Sequence, residues 1–180
     1  MKMRMILGCV LACSISAAPA ALAAEQIYLH PDEFVASAFT GDTPQAQALW
    51  LTPALRNELA REFGWQPGMR VRYWQQDSRT VWVLDEIGKD KPITAGIVID
   101  QGEIEQMQVL VFRESRGWEI KLPRFTAQFV SARLTEKQNL SANIDGITGA
   151  TLSVNAMKRM ARVALRLHDQ TATRTVSHAD

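Results

Sequence analysis

Ile93-Thr94-Ala95-Gly96-Ile97-Val98-Ile99 and Ile104-Glu105-Gln106-Met107-Gln108-Val109-Leu110-Val111-Phe112 decide the fold class of this chain. Both runs are rich in β-branched and apolar residues, and the polar, glycine-containing Asp100-Gln101-Gly102-Glu103 joins them. That combination predicts a β-hairpin. Just upstream, Met69-Arg70-Val71-Arg72-Tyr73-Trp74 alternates with period two, and Thr80-Val81-Trp82-Val83-Leu84 is made of strand formers. Asp77-Ser78 supplies a turn between them. Consecutive strands on short turns make an antiparallel sheet.

Helical patterns lie on either side of the strands. Pro31-Asp32-Glu33 opens a run in which Phe34, Val35 and Ala38 share a face, with acidic residues in the first turn. Gly41-Asp42-Thr43-Pro44 breaks it. Thr52-Pro53 starts a clearer helix, a capping residue followed by proline at the first position, with Leu55, Leu59 and Phe63 on one stripe and Gly64 as its stop. Phe125, Phe129 and Val130 predict a short helix. From Val154 to His168 the pattern is strongly amphipathic, with Ser153 as the expected N-cap and residues 171–180 expected to fray. Asn155, Arg159, Arg162 and Arg166 form its polar stripe. With Lys158, these arginines read as a solvated face, a docking surface being the alternative. The expected class is α+β: an antiparallel sheet with N-terminal helices and a C-terminal amphipathic helix packed on it.

Composition narrows the chemistry. Hydrophobic residues make up 47% of the 180 and charged residues 22%, which places residues 24–180 as one globular domain. A formal net charge of +1 gives a nucleic-acid partner no support. Lys2 and Arg4, the apolar run Met5 to Ala12, and Ala21-Leu22-Ala23 read together as a cleavable export signal over residues 1–23. The expected location is therefore periplasmic or otherwise exported. Val10-Leu11-Ala12-Cys13 offers a second reading, lipid attachment through Cys13. Both cysteines, Cys9 and Cys13, fall inside the signal, so cleavage after Ala23 leaves no thiol. It also removes Lys2 and Arg4, two positive charges, taking +1 to −1. His30, His168 and His178 are widely separated and give no metal-ligand spacing.

One stretch remains unexplained by packing: Asp145-Gly146-Ile147-Thr148-Gly149-Ala150-Thr151-Leu152-Ser153. It has almost no bulk, three hydroxyls and one carboxylate, and it leads into the strongest helix. A helix N-terminus carries unpaired N–H groups and a partial positive charge, which suits a phosphate. Asp145 and Thr148 are expected to hold the loop through side-chain to backbone bonds. A capping loop without a ligand fits the same residues. Glu114-Ser115-Arg116-Gly117, after the hairpin, reads either as a polar turn or as a wall of an anion or cofactor pocket.

Asp145 to Thr151 closely resembles the flavinylation motif of the FMN-binding domain family, D-x-x-[S/T]-G-A-T, followed here by Leu152 and Ser153. That family includes the FMN-carrying C subunit of the sodium-pumping NADH:quinone reductase and the G subunit of the Rnf complex. The resemblance runs from about residue 73 to 167, with Ser115-Arg116 where respiratory members often have Thr-Pro. It implies that a magnesium-dependent flavin transferase takes FMN from FAD and esterifies its phosphate to Thr151. It assigns cofactor binding to Asp145, Thr148, Gly149, Ala150, Thr151, Leu152 and Ser153, and to Glu114, Ser115, Arg116 and Gly117. Tyr73, Trp74, Trp82 and Trp118 read as core, flavin stacking being the alternative. The implied function is an exported electron carrier serving a membrane-bound redox partner. A flavin-dependent reductase of a small molecule and a non-redox exported binding module are the alternatives.

Overall fold

A computed structural model describes residues 25–177, with side chains through residue 171. The export signal, its cysteines and His178 lie outside the described residues. The elements are β1 (Gln26–Ile27), α1 (Pro31–Ser37), β2 (Gln47–Trp50), α2 (Pro53–Phe63), β3 (Arg70–Gln76), β4 (Arg79–Ile87), β5 (Pro92–Asp100) and β6 (Glu103–Phe112). They continue with a 3₁₀ turn (Trp118–Lys121), α3 (Pro123–Thr126), a second 3₁₀ turn (Ala127–Phe129) and α4 (Thr151–Ser177). The fold is α+β, as the periodicity predicts.

All six strands form one antiparallel sheet in the order β1-β6-β5-β4-β3-β2. Strands β2 to β6 are a meander, each pairing with its successor in the chain. The predicted hairpin is β5–β6, with Asp100 opposite Glu103 and Ile97 opposite Met107. Two strands escape the sequence reading: β2 at one edge and the two-residue β1 at the other. Both are short, and β2 turns only Leu49 inward.

Helices cover both faces of the sheet. α2 and α4 lie over the larger core, where Leu55, Leu59 and Phe63 meet Trp82, Ile97, Met157 and Met160. α1 covers the opposite face, where Phe34 and Val35 pack on Val81, Val98 and Leu110. β5 is therefore buried on both sides, which explains its near-continuous apolar run. Gly96 in its middle lies under the Phe34 ring, which a Cβ there would strike. α2 follows its sequence signals, with the Leu55 N–H donating to Thr52 Oγ1 at 3.2 Å and Gly64 ending it in a left-handed conformation.

α4 differs from expectation at both ends. It begins at Thr151, two residues before the expected cap, and it runs to Ser177, into the segment expected to fray. Ser153 is its third residue and caps nothing. The arginine stripe is not a solvated face either. Arg159 Nη1 lies 2.6 Å from Glu86 Oε1 of β4, and Arg166 grips Glu58 of α2 with two bonds of 2.6 and 3.0 Å. Arg162 donates to the backbone carbonyls of Gln138 and Glu62. These half-buried bonds fasten α4 to the strand, helix and loop beside it. Among the described residues no helix is long and apolar enough to cross a membrane.

Trp82 and Tyr73 are a stacked cross-strand pair inside the core, with centroids 5.0 Å apart. Trp82 Nε1 donates to Thr80 Oγ1 at 2.9 Å, and that oxygen lies 2.7 Å from Nδ1 of buried His168. An indole can only donate, so the Thr80 hydroxyl is free to donate onward to a neutral imidazole. Burial lowers the His168 pKa, while the Asp169 and Asp100 charges pull the other way. The unfolded chain therefore binds this proton at higher pH than the folded one. Stability from His168 is present above its ordinary pKa of about 6.5 and is lost as pH falls toward the lowered folded value. Thermal unfolding across about pH 7 to about 5 should show a steeper loss for the native chain than for His168→Gln. Equal slopes would remove His168 as the cause.

Candidate functional site

The small-residue stretch closes one wall of an open cleft of about 560 Å³, and the segment after β6 closes the other. Gly149, Ala150, Thr151, Leu152 and Ser153 face Glu114, Ser115 and Arg116 across it, with Lys89 at the rim. A volume of that order falls within the ordinary range of ligand sites, roughly 300–1,000 Å³.

The first wall owes its shape to the start of α4. Gly149 has φ of 82°, which a side chain would resist, and the Ala150 N–H returns to the Ile147 carbonyl at 2.9 Å. The Val154 N–H then donates to the Ala150 carbonyl at 2.9 Å, the first bond of the helix. Among the described residues no side chain caps Thr151, Leu152 or Ser153. Their N–H groups and the positive end of a 27-residue helix therefore open on the cleft. Thr151 is exposed and Leu152 is half exposed. Ser153 is only 4% exposed, yet its hydroxyl makes no hydrogen bond among the described residues. A hydroxyl lining the cleft beside a helix start suits a phosphate-bearing ligand.

The second wall is fixed by Glu114, a buried carboxylate. Its Oε1 accepts three consecutive backbone N–H groups, from Lys89 at 2.5 Å, Asp90 at 2.7 Å and Lys91 at 2.9 Å. Converging N–H groups of this kind form an anion-binding nest, filled here by the protein's own side chain. Glu114 thus shapes the β4–β5 turn and places Lys89 at the cleft mouth. Gly88 must be small, because a Cβ there would stand 2.9 Å from the same Oε1.

Gly117 joins the two walls. It has φ of 85°, and a Cβ on it would stand 2.9 Å from Ser153 Oγ and 3.2 Å from Ala150 Cβ. Gly117→Ala should therefore destabilise the chain by about 1–3 kcal/mol and push the walls apart. Gly146→Ala, where nothing stands within 4 Å, is the control expected to change little in urea unfolding. Matched losses in the two variants would contradict the close approach.

Asp145 and Thr148 sit outside the cleft lining. Both are exposed, and their side chains do not hold the loop as expected. Instead the Asp145 backbone N–H donates to Gln128 Oε1 at 2.8 Å. Arg116 is exposed at the cleft, as is Ser115. Lys89 is the lining residue that sequence reasoning missed. Its available signal was the Gly88-Lys89-Asp90-Lys91 turn between two strands, which acquires meaning only when Glu114 folds against it. Trp118, next to Gly117, is exposed, with the Lys121 ammonium 5.6 Å from its ring centroid.

An antiparallel sheet with a long helix packed on it, and an open cleft at that helix's start, define an α+β domain with room for a ligand. Residues 88–166 match the family model of the FMN-binding domain. The match begins at Gly88 in the nest turn and ends at Arg166 on α4, so it contains every residue lining the cleft. The match supports FMN binding by this segment. No curated protein matches the chain.

Proposed function

We propose that FMN is held covalently, through a phosphoester on Thr151 Oγ1, and that the protein is an exported electron carrier. One observation carries the reading. Within the matched segment, an exposed threonine hydroxyl stands at the uncapped start of α4, inside a cleft with two cations at its edge.

In that reading the residues divide the work. The Thr151 hydroxyl is the acceptor: its oxygen bonds to the FMN phosphorus, the pyrophosphate linkage of FAD breaks, AMP leaves and the hydroxyl proton passes to solvent or transferase. A dedicated flavin transferase using FAD and magnesium supplies that step. The N–H groups of the first α4 turn and the Ser153 hydroxyl receive the remaining phosphate charge. Lys89 and Arg116 add positive charge from the opposite wall. Gly149 and Ala150 keep the approach uncrowded. The bound flavin supplies one- or two-electron redox chemistry. The covalent link prevents its loss outside the cytoplasm, where free flavin would diffuse away. A membrane-bound redox partner is the proposed counterpart in electron exchange.

Intact-mass measurement of the chain co-produced with a flavin transferase tests this directly. The expected species lacks residues 1–23 and carries one FMN less one water. A colourless species of bare peptide mass under those conditions would overturn the covalent assignment. A lipid-modified Cys13 at the N-terminus would replace free export with anchoring.

A further inference from the structure

Beside the first three turns of α4 lies a second cleft, of about 380 Å³, between that helix and the 139–144 segment. Its polar lining is Asn139, Asn143, Asn155, Lys158, Arg159 and Arg162, and no carboxylate is among its lining residues. Arg159 is neutralised by Glu86. Lys158 has no ion-pair partner among the described residues. Arg162 spends two donors on the Gln138 and Glu62 carbonyls and lies over the Phe63 ring at 4.9 Å, with no carboxylate in contact.

Lys158 and Arg162 are four residues apart on one helix, and Arg159 and Arg162 three apart. Like charges at these spacings repel and weaken a helix. Burial, and then the Arg159 charge, lowers the Arg162 pKa, while Glu62 acts in the other direction. The cleft thus gathers three cations and three amide side chains in a concave space with no carboxylate in its lining.

The geometry points to a binding site for a small oxyanion, a carboxylate or phosphoryl group, held by Lys158 and Arg162 with the amides of Asn143 and Asn155. Asn155 lies one turn along α4 from Thr151, so the anion would sit alongside the cofactor site. An α-helix rises about 1.5 Å per residue, which separates Thr151 and Lys158 by roughly 10 Å along the axis. The site is independent of covalent attachment, and the cleft is distinct from the one that holds Thr151.

Titration of the isotopically labelled full chain with inorganic phosphate, and separately with succinate, tests the assignment by amide chemical shifts. The flavin-carrying chain and flavin-free Thr151→Ala are both examined. Saturable shifts centred on Asn143, Asn155, Lys158 and Arg162 are expected in both proteins, and the tighter of the two probes identifies phosphoryl or carboxylate as the preferred group. Lys158→Glu should weaken binding by roughly tenfold or more. Asn155→Asp, at an exposed position, should do the same and guards against a fold defect in the first variant. Absence of saturation up to roughly tens of millimolar overturns the proposal. So do shifts centred on Gly149 to Ser153, or unchanged affinity in both variants. Binding confined to the flavin-free protein would give the cleft to the flavin and also overturn it. None of these results bears on whether Thr151 carries FMN, which is read separately by mass.

Discussion

Thr151→Ala, co-produced with a flavin transferase, should give a folded protein with no covalent flavin. Denaturing gels viewed under ultraviolet light should show fluorescence for the native chain and none for the variant. The fold should survive, because the Thr151 side chain is exposed and alanine is a good helix former, limiting the effect to about 0.5 kcal/mol. Thr151→Ser keeps a hydroxyl on the same carbon and should restore labelling at least in part. The other two hydroxyls of the stretch provide the contrast. Thr148 is exposed but outside the cleft, so Thr148→Ala should label normally. Ser153 is buried in the cleft wall, so Ser153→Ala should label less while remaining fluorescent. A covalent flavin persisting in Thr151→Ala would end the assignment.

The legible parts of the sequence are those whose cause is local. Alternation marks β3, and runs of β-branched and apolar residues mark β4 to β6, because each strand carries its own burial pattern. Thr52-Pro53 and Gly64 mark α2 because capping is decided within a few residues. The start of α4 is less local. Ser153 has the composition of a cap, but Ala150 packs against Gly117, and the first helical hydrogen bond forms three residues earlier, on the Ala150 carbonyl. The arginine stripe carries no local sign of its partners. Arg159 meets Glu86 across 73 residues of chain, and Arg166 meets Glu58 across 108. A stripe of cations on a helix looks solvated until the elements beside it are placed. Strand β2 is invisible for a related reason: an edge of four residues with one buried side chain has no period to detect. Thr151 stands out through a motif, whereas the wall facing it depends on a carboxylate and a turn more than twenty residues apart.

That wall makes the second large prediction. Glu114→Ala removes one oxygen that satisfies three backbone N–H groups at once. Hydrogen bonds to a charged acceptor are worth about 1.5–3 kcal/mol each, but a surface turn regains water, so a net loss of about 2–4 kcal/mol is expected. The loss should be local before it is global. Amide exchange at Lys89, Asp90 and Lys91 should accelerate far more than at the β4–β5 ladder beyond the turn. Glu114→Gln retains an acceptor without the charge and should fall between the native chain and the alanine variant. Lys89 would lose its fixed place at the cleft mouth, so flavin incorporation by the transferase should slow even though Thr151 is untouched. Unchanged protection at residues 89–91 in Glu114→Ala would show that the turn holds itself, and that Glu114 lines the cleft for another reason.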